Sequence, residues 1–261
     1  MKKVLSIAGS DCSGGAGIQA DIKTIIMHKM YAMSVVTAIT AQNTMGVFSV
    51  IESSSKLVSE QLDAVFTDIF PDSIKIGMVS NTEIIKTIAN KLRHYNAKNI
   101  VLDPVMVSTS GCKLISDNAI QSIKDYLFPI SSVITPNIYE AEILSGVLIK
   151  NEKYMIDAAK KISENYGGSI LIKGGHLRDS SNDLLYQNSK FQWFKYPKIN
   201  NPNTHGTGCT LSSSLACNLA NGYSIEKSLN NSKKYINRCI QSMLNLGKGS
   251  GPINHLRSSI I

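Results

Sequence analysis

The chain has 261 residues, of which 43% are apolar and 18% charged, a composition that is typical of a globular protein and excludes a disordered chain. Its formal net charge is +8, but no basic run is longer than two residues and aromatic residues are not interleaved with the lysines. This scatter argues against a nucleic-acid-binding surface and favours attraction of an anionic substrate such as a nucleotide. The five cysteines form no close pair and no metal-type spacing, and no apolar stretch has transmembrane length, so we expect a cytoplasmic protein without a membrane partner.

Short apolar runs alternate with longer segments of helical spacing. The predicted strands are 4–8, 33–40, 73–76, 99–103, 132–135 and 169–173, followed by a hairpin over 183–198. The predicted helices are 17–29, 57–69, 81–95, 116–127, 137–144, 154–166, 207–221 and 225–246. This alternation predicts an α/β fold in three layers, with a mainly parallel sheet covered by helices on both faces. Because no linker or repeat divides the chain, we expect one domain over residues 1–261, with ligands at the carboxyl ends of the strands.

The first strand is followed by a glycine-rich segment, residues 9–17. Its glycine spacing begins like that of a P-loop, but Gly15 and Ala16 stand where the phosphate-binding Lys and the Mg²⁺-binding Ser or Thr would be required. The P-loop interpretation therefore fails. Glycines at such a place let the backbone approach a small ligand closely, and the alternative is a flexible turn before a helix.

A second glycine-rich segment, residues 203–210, opens directly into an apolar helix. Backbone N–H groups at a helix N-terminus bind anions, so Gly206, Thr207 and Gly208 are candidates to hold a transferring phosphoryl group and stabilise its charge. Cys209 lies in the first turn, where the field of the helix is expected to lower the pKa of a thiol. The structural alternative is a glycine turn followed by a buried cysteine.

Polar side chains follow three predicted strands at the edge where parallel strands end. Asp103 follows the apolar residues 100–102, Asn137 and Glu140 follow 133–135, and Lys173 ends the strand 169–173. Asn137 and Glu140 share one face of a helix start and are candidates for a metal or a phosphate, and the charge of Lys173 suits phosphate oxygens. Each residue also has a structural alternative, as a turn cap, a helix N-cap or a surface lysine.

Gln42 ends the second predicted strand. A carboxamide offers an acceptor and a donor pair in one plane, so it can bind a ring nitrogen beside an exocyclic amine, as it does with adenine. An aminopyrimidine presents that pattern. The alternative is a polar strand end that is simply solvated.

Seven segments, in order along nearly the whole chain, resemble a known family. They are IAGSDCSGGAGIQAD at 7–21, TAQNT at 40–44, KIGM at 75–78, DPVM at 103–106, TPNIYE at 135–140, IKGGH at 172–176 and THGTGCT at 204–210. The chain resembles the hydroxymethylpyrimidine/phosphomethylpyrimidine kinases of thiamine biosynthesis, within the ribokinase-like superfamily. The resemblance implies a ribokinase-like fold, ATP and Mg²⁺ as cofactors, two successive phosphorylations in one site, and a homodimer.

The resemblance also implies a role for each site residue. Gln42 would hold the pyrimidine edge, and the ring and its hydroxymethyl arm would be surrounded by Gly9, Asp21, Met78, and Val105 or Val107. Cys209 occupies the position where sugar kinases of the superfamily carry an Asp base, so its thiolate would accept the hydroxyl proton.

On the ATP side, the resemblance implies that residues 206–209 form the anion hole. Lys173 would contact the ATP phosphates, together with Asn137 and Thr204. Glu140 would organise Mg²⁺, with Asp103 in the outer shell of the metal. One departure is visible, since Cys12 stands where proline is expected in many family members, which changes loop stiffness but removes no catalytic group.

Two other functions fit parts of the pattern. A pyridoxal kinase is the nearest alternative, because some relatives phosphorylate the hydroxymethyl group of a B6 vitamer. Pyridoxal lacks the aminopyrimidine edge, so Gln42 favours the pyrimidine as the main substrate. Pyridoxine is then expected as a side substrate. A non-catalytic ligand sensor or nucleic-acid binder on the same scaffold is the alternative from another class. Such a protein is expected to lack Cys209, Glu140 or the glycine turn, and all three are present.

Overall fold

The computed structural model of the protein describes residues 1–106, 115–175 and 182–256. A single sheet runs through this part of the chain, with the strand order β3-β2-β1-β4-β5-β6-β7-β8-β9. Its strands are β1 Lys3–Asp11, β2 Tyr31–Asn43, β3 Gly46–Glu52, β4 Ser73–Ile76, β5 Ile100–Leu102, β6 Val133–Ile134, β7 Ser169–Ile172, β8 Asp183–Gln187 and β9 Lys190–Phe194.

The strands from β2 to β7 pair in parallel, and an antiparallel hairpin closes each edge of the sheet. Every residue of β4, β5, β6 and β7 is buried, as expected for parallel strands that are covered by helices on both faces. The predicted α/β class with a mainly parallel sheet is confirmed.

Eight α-helices cover the sheet in the described ranges. They are α1 Gly17–Met27, α2 Ser55–Asp68, α3 Thr82–His94, α4 Asp117–Ser122, α5 Ile138–Ser145, α6 Glu152–Ser163, α7 Thr207–Ala220 and α8 Ile225–Gln241. None of the helices in these ranges combines the length and the apolar character needed to cross a bilayer.

The two faces of the sheet carry separate apolar cores. Side chains alternate along a strand, so Leu5 of β1 packs into the core beneath α2, α3, α5 and α6, while its neighbour Val4 packs into the core beneath α1, α7 and α8. These two cores fill the two interfaces between the sheet and the helical layers, as the three-layer prediction requires.

Three elements differ from the prediction. The helix predicted over 116–127 is an α-helix only over Asp117–Ser122 and continues as a π-helix over Ile123–Leu127. Strand β3 was not predicted, because it is an edge strand whose two faces are largely exposed, so it lacks the alternation that identifies a half-buried strand. Helix α8 ends at Gln241 rather than at residue 246, and Met243 has a left-handed φ of 50° that turns the chain back. The following loop then reaches the β2–β3 turn, where the backbone N–H groups of Lys248 and Gly249 donate to Thr44 Oγ1.

Candidate active site

An ion pair between Asp103 and Lys173 lies at the carboxyl edge of the sheet. Lys173 Nζ is 2.7 Å from Asp103 Oδ1, and the carboxylate also accepts hydrogen bonds from Thr135 Oγ1 at 3.0 Å and Ser212 Oγ at 3.3 Å. Burial raises the pKa of Asp103, but the ammonium groups of Lys173 and Lys75 more than offset it, so the pKa lies below its usual range. Burial opposes the charge of Lys173 as well, yet Asp103 and other nearby anionic groups raise the pKa of the lysine. The pair is therefore charged at neutral pH.

The first turn of α7 lies against this ion pair. A Cβ atom added to Gly208 would be 3.5 Å from Lys173 Nζ and 3.6 Å from Asp103 Oδ2. Gly206 precedes the helix with a left-handed φ of 83°, and Thr207 Oγ1 donates to the carbonyl of Thr204 at 2.6 Å to close the turn. The structure thus brings the predicted anion-binding segment and Lys173 together, which places a helix N-terminus and a cation at one spot.

Asn137 and Glu140 form a capping box at the start of α5. Asn137 Oδ1 accepts from the Glu140 N–H at 3.0 Å, and Glu140 Oε2 accepts from the Asn137 N–H at 2.8 Å. Burial raises the pKa of Glu140 to about 7; Lys173 opposes this and Asp103 adds to it. Within the described ranges, no group of three or more His, Cys, Asp or Glu side chains is arranged to hold a metal ion. Neither predicted metal residue is therefore part of a ready-made cluster.

The glycine-rich segment after β1 is wrapped around Asp11. Its carboxylate accepts from the backbone N–H groups of Ser13, Gly15 and Ala16 at 2.8–3.1 Å, and from His205 Nε2 at 2.9 Å. Burial raises the pKa of Asp11, but the hydrogen bonds from His205, Ser13 and Ala16 outweigh it and lower the pKa to about 2. The segment is therefore an ordered loop around a permanent charge, and not the flexible turn of the alternative interpretation.

The two glycine-rich segments pack directly on each other. A Cβ atom on Gly15 would lie 2.1 Å from Cδ2 of His205, and a Cβ atom on Gly206 would lie 1.9 Å from the carbonyl oxygen of Gly15. Because contacts this short are impossible for a real Cβ, glycine is required at both positions.

Gln42 borders a cavity of about 420 Å³ beside these segments. The cavity is lined by Gln42, Asn43, Thr44, Met45, His205, Lys248, Gly249 and Ser250. Gln42 Nε2 is 3.4 Å from His205 Nε2, and its Oε1 is 3.1 Å from Thr40 Oγ1. Cys12 ties the glycine loop to this strand, because its sulfur accepts from the Gln42 N–H at 3.3 Å and donates to the Gln42 carbonyl at 3.1 Å.

The other residues that were predicted to surround the ring differ in how deeply they are buried. Gly9 and Met78 are neighbours, since a Cβ on Gly9 would be 3.1 Å from Met78 Sδ, and Val105 is half-buried. Val107 lies outside the described residues. Asp21 differs from the expectation, because it is fully buried behind the site. Its carboxylate accepts hydrogen bonds from Ser6, Lys75 and Ser213 at 2.5–2.8 Å.

Cys209 is half-buried in the first turn of α7, and the backbone N–H of Gly17 lies near its sulfur. The lowered pKa predicted from the helix position is wrong. Burial raises the pKa of Cys209 to about 11; Lys75 opposes this shift, and Asp21 and Asp103 add to it. The thiol is therefore protonated at neutral pH in the ligand-free protein.

Sequence reasoning missed three contributors to the site. His205 and Lys75 stand inside motifs whose other residues received roles, and the loop 248–250 is distant in sequence from Gln42. The position of His205 within a glycine-rich segment was a usable signal for a binding residue. For Lys75 the signal was a lysine between two isoleucines of a predicted buried strand, where an unpaired charge is not tolerated.

Comparison with known proteins identifies the family. A family model described as phosphomethylpyrimidine kinase matches residues 11–254. The hydroxymethylpyrimidine/phosphomethylpyrimidine kinase of Haemophilus influenzae is 41% identical over 98% of this chain and 97% of that protein. The thiamine biosynthesis bifunctional protein ThiED of Geobacter sulfurreducens is 44% identical over 97% of this chain, which spans only 52% of that longer protein.

Solved structures agree with this result. The crystal structure of phosphomethylpyrimidine kinase from Clostridium difficile is 45% identical, with a TM-score of 0.81 over 91% of this chain and 98% of that one. A pyridoxal kinase from Staphylococcus aureus in complex with AMP-PCP and pyridoxal is 32% identical, with a TM-score of 0.91 over 100% of this chain and 96% of that one. The resemblance read from the sequence motifs is thus confirmed. The chain belongs to the phosphomethylpyrimidine kinase family, the ribokinase-like hydroxymethylpyrimidine and phosphomethylpyrimidine kinases of thiamine biosynthesis.

Proposed function

We propose that this chain carries out both phosphorylations of its family at one site: 4-amino-5-hydroxymethyl-2-methylpyrimidine to its monophosphate, and the monophosphate to the diphosphate. One observation supports this proposal above all. The short segment 205–209 contacts the Gln42 cavity through His205 and the Lys173–Asp103 pair through Gly208. A ring subsite and a phosphate subsite are therefore adjacent, as transfer to a hydroxymethyl arm requires.

On the ring side, we assign the pyrimidine edge to the carboxamide of Gln42, with Gly9, Met78 and Val105 around the ring. A side chain on Gly9 would crowd Met78, since its Cβ would lie 3.1 Å from Met78 Sδ, so glycine leaves this methionine free to border the ring. For the second step the monophosphate swings so that its own phosphate faces Cys209 and becomes the acceptor.

On the phosphate side, we assign the γ-phosphoryl group of ATP to the backbone N–H groups of Gly206, Thr207 and Gly208, with Lys173 beside them. The remaining phosphates extend toward Asn137 and Thr204. Fixed donors and a cation at the position where negative charge develops stabilise the transition state, and in phosphoryl transfer this effect outweighs proton removal.

Mg²⁺ would neutralise charge on the bound phosphates. Asp103 is already paired with Lys173 and Glu140 with two backbone N–H groups, so neither carboxylate is free to enclose a metal by itself. This donor set fits a cation that keeps several water ligands and takes its other ligands from the substrate phosphates, as Mg²⁺ usually does. Glu140 would then hold the metal and Asp103 would contact its water shell.

We also propose a homodimer of single-domain chains in the cytoplasm. Strand β3 is an edge strand, and it and the adjoining part of β2 expose large apolar side chains, with Ile39 61%, Phe48 69% and Ile51 71% exposed. An exposed apolar edge of this kind is typical of a subunit interface.

Light scattering of the wild-type protein is expected to give twice the single-chain mass of 28.4 kDa. Replacement of Phe48 and Ile51 by lysine is expected to reduce the measured mass to that of a single chain. A monomeric wild type would contradict the dimer.

The activity is tested by incubating the purified protein with Mg-ATP and the aminopyrimidine alcohol, with pyridoxine in parallel, and following products by mass spectrometry. We expect the monophosphate and then the diphosphate of the pyrimidine, with slower turnover of pyridoxine.

Gln42→Leu should raise KM for the pyrimidine by about 10-fold or more, because the polar edge of the bound pyrimidine would lose its hydrogen-bond partner. The KM for pyridoxine should change little. Unchanged discrimination would contradict edge reading, and no product from either alcohol would favour a ligand sensor.

Cys209→Ala is expected to lower kcat by about 10²–10⁴-fold, with little change in the Kd of the pyrimidine. The thiolate is the proton acceptor and the pKa of Cys209 is about 11, so the thiolate fraction and kcat should both rise with pH above neutrality. This rise should vanish in the alanine variant. Equal losses of kcat and affinity, or an unchanged pH profile, would remove the assignment of Cys209 as base.

Gly206→Ala tests the contact between the two glycine-rich segments, with Gly146→Ala as its matched control. Both residues have left-handed φ angles, 83° and 73°, but a Cβ on Gly146 would meet no atom within 4 Å. Strain alone should cost each variant about 1 kcal/mol of unfolding free energy. Only Gly206→Ala should also lose most of its kcat, because its Cβ displaces Gly15; equal activity in the two variants would show that the contact is dispensable.

A further inference from the structure

A fully buried charge pair lies next to the site and has no part in the proposed substrate and ATP contacts. Lys75 of β4 and Asp21 of α1 are both 0% exposed, and Lys75 Nζ is 2.8 Å from Asp21 Oδ2. Ser6 Oγ and Ser213 Oγ donate to the same carboxylate. Burying two charges costs desolvation free energy, and apolar residues in their place are often equally or more stable. The pair therefore points to a role other than stability.

Ser213 connects this pair to the helix that carries Cys209. Ser213 is four residues after Cys209 on α7, so the two side chains share one face of the helix, and Ser213 Oγ is 2.7 Å from Asp21 Oδ1. On the opposing helix, Gly17 is four residues before Asp21, and its backbone N–H lies near the sulfur of Cys209. Helices α7 and α1 therefore meet at two successive levels, the thiol at one and the charge pair at the next.

The ammonium group of Lys75 is also oriented toward the substrate side. A Cβ on Gly77 would lie 2.6 Å from Lys75 Nζ, so glycine is needed there to leave space for the cation. Gly77 immediately precedes Met78, which we assign to the ring.

The charged groups that act on Cys209 come from four elements. Lys75 at β4 favours the thiolate, whereas Asp21 on α1 and Asp103 after β5 oppose it. Lys173 after β7 is a second cation that interacts with the thiol. Lys75 and Asp21 differ from the other two because they are away from the proposed phosphate contacts.

We propose that Lys75 and Asp21 are positioning residues that set the charge state of Cys209, Lys75 by stabilising the thiolate and Asp21 by holding and partly compensating the lysine. The inference rests on the proposed role of Cys209 as proton acceptor. In that step the hydroxyl proton passes to the sulfur of Cys209, the oxygen electron pair forms the bond to the γ-phosphorus, and the bond to the ADP oxygen breaks. Lys75 keeps its proton throughout.

The test is the rate of alkylation of Cys209 by iodoacetamide across pH, resolved by mass spectrometry, in the intact protein. Lys75→Met is expected to slow this reaction by about 10-fold at pH 8, and Asp21→Asn to accelerate it by a similar factor, because a nearby buried charge shifts a pKa by about one unit. Cys12 is exposed and serves as the internal reference, with the same alkylation rate in every variant.

The opposite signs separate electrostatics from structural damage. Loosened packing would expose Cys209 in both single variants, so acceleration in both, or no change in either, would overturn the proposal. If Asp21→Asn does not fold, the double variant Lys75→Met/Asp21→Asn replaces it. It is expected to react faster than Lys75→Met alone, and an equal or slower rate would overturn the proposal.

The pH dependence of kcat distinguishes this proposal from the proposed function. Lys75→Met should move the rising limb of kcat to higher pH, with little change in the Kd of the pyrimidine. If the alkylation rates shift as expected but the kcat profiles do not move, the charge control of Cys209 is correct and its role as proton acceptor is wrong.

Discussion

The site depends on the contact between two glycine-rich segments that are nearly 200 residues apart in the chain, the loop around Asp11 and the turn before α7. A Cβ atom on Gly206 would collide with the carbonyl of Gly15, and one on Gly15 would collide with the ring of His205, so neither residue can carry a side chain. This approach holds His205 against Asp11 and Gln42, and it fixes where α7 begins. Because α7 begins there, its first turn faces Lys173, and the proposed ring and phosphate subsites are adjacent.

The charges of the site are buried in pairs, and this determines their protonation. Lys173 and Asp103 stabilise each other as ions, as do Lys75 and Asp21, so two ammonium groups remain positive in a region of low dielectric. Such preorganised positive charge attracts phosphate without reorganising when the phosphoryl group moves. For Cys209 and Glu140, burial outweighs the opposing effects of Lys75 and Lys173, so both pKa values are raised.

Several parts of the molecule were predictable because the signal is local. Buried parallel strands are continuous apolar runs, and the hairpin predicted over 183–198 is formed by β8 and β9, with its turn at Asn188 and Ser189. Strand β3 was not predicted, because an edge strand that is exposed on both faces carries no periodic signal. The pKa of Cys209 was misjudged for a related reason: helix position can be read from the sequence, but burial cannot.

The sequence by itself determined the alternation of the buried strands with the helices, the family, and which side chains gather where parallel strands end. These follow from residue type, spacing and motif order, all of which are properties of the linear chain. Only the tertiary structure decided that Asp21 faces Lys75 rather than the ring, that His205 lies beside Gln42, and that the loop 248–250 completes the cavity. Hydrogen bonding and desolvation act between residues that are distant in the chain, and their balance exists only once the chain has folded.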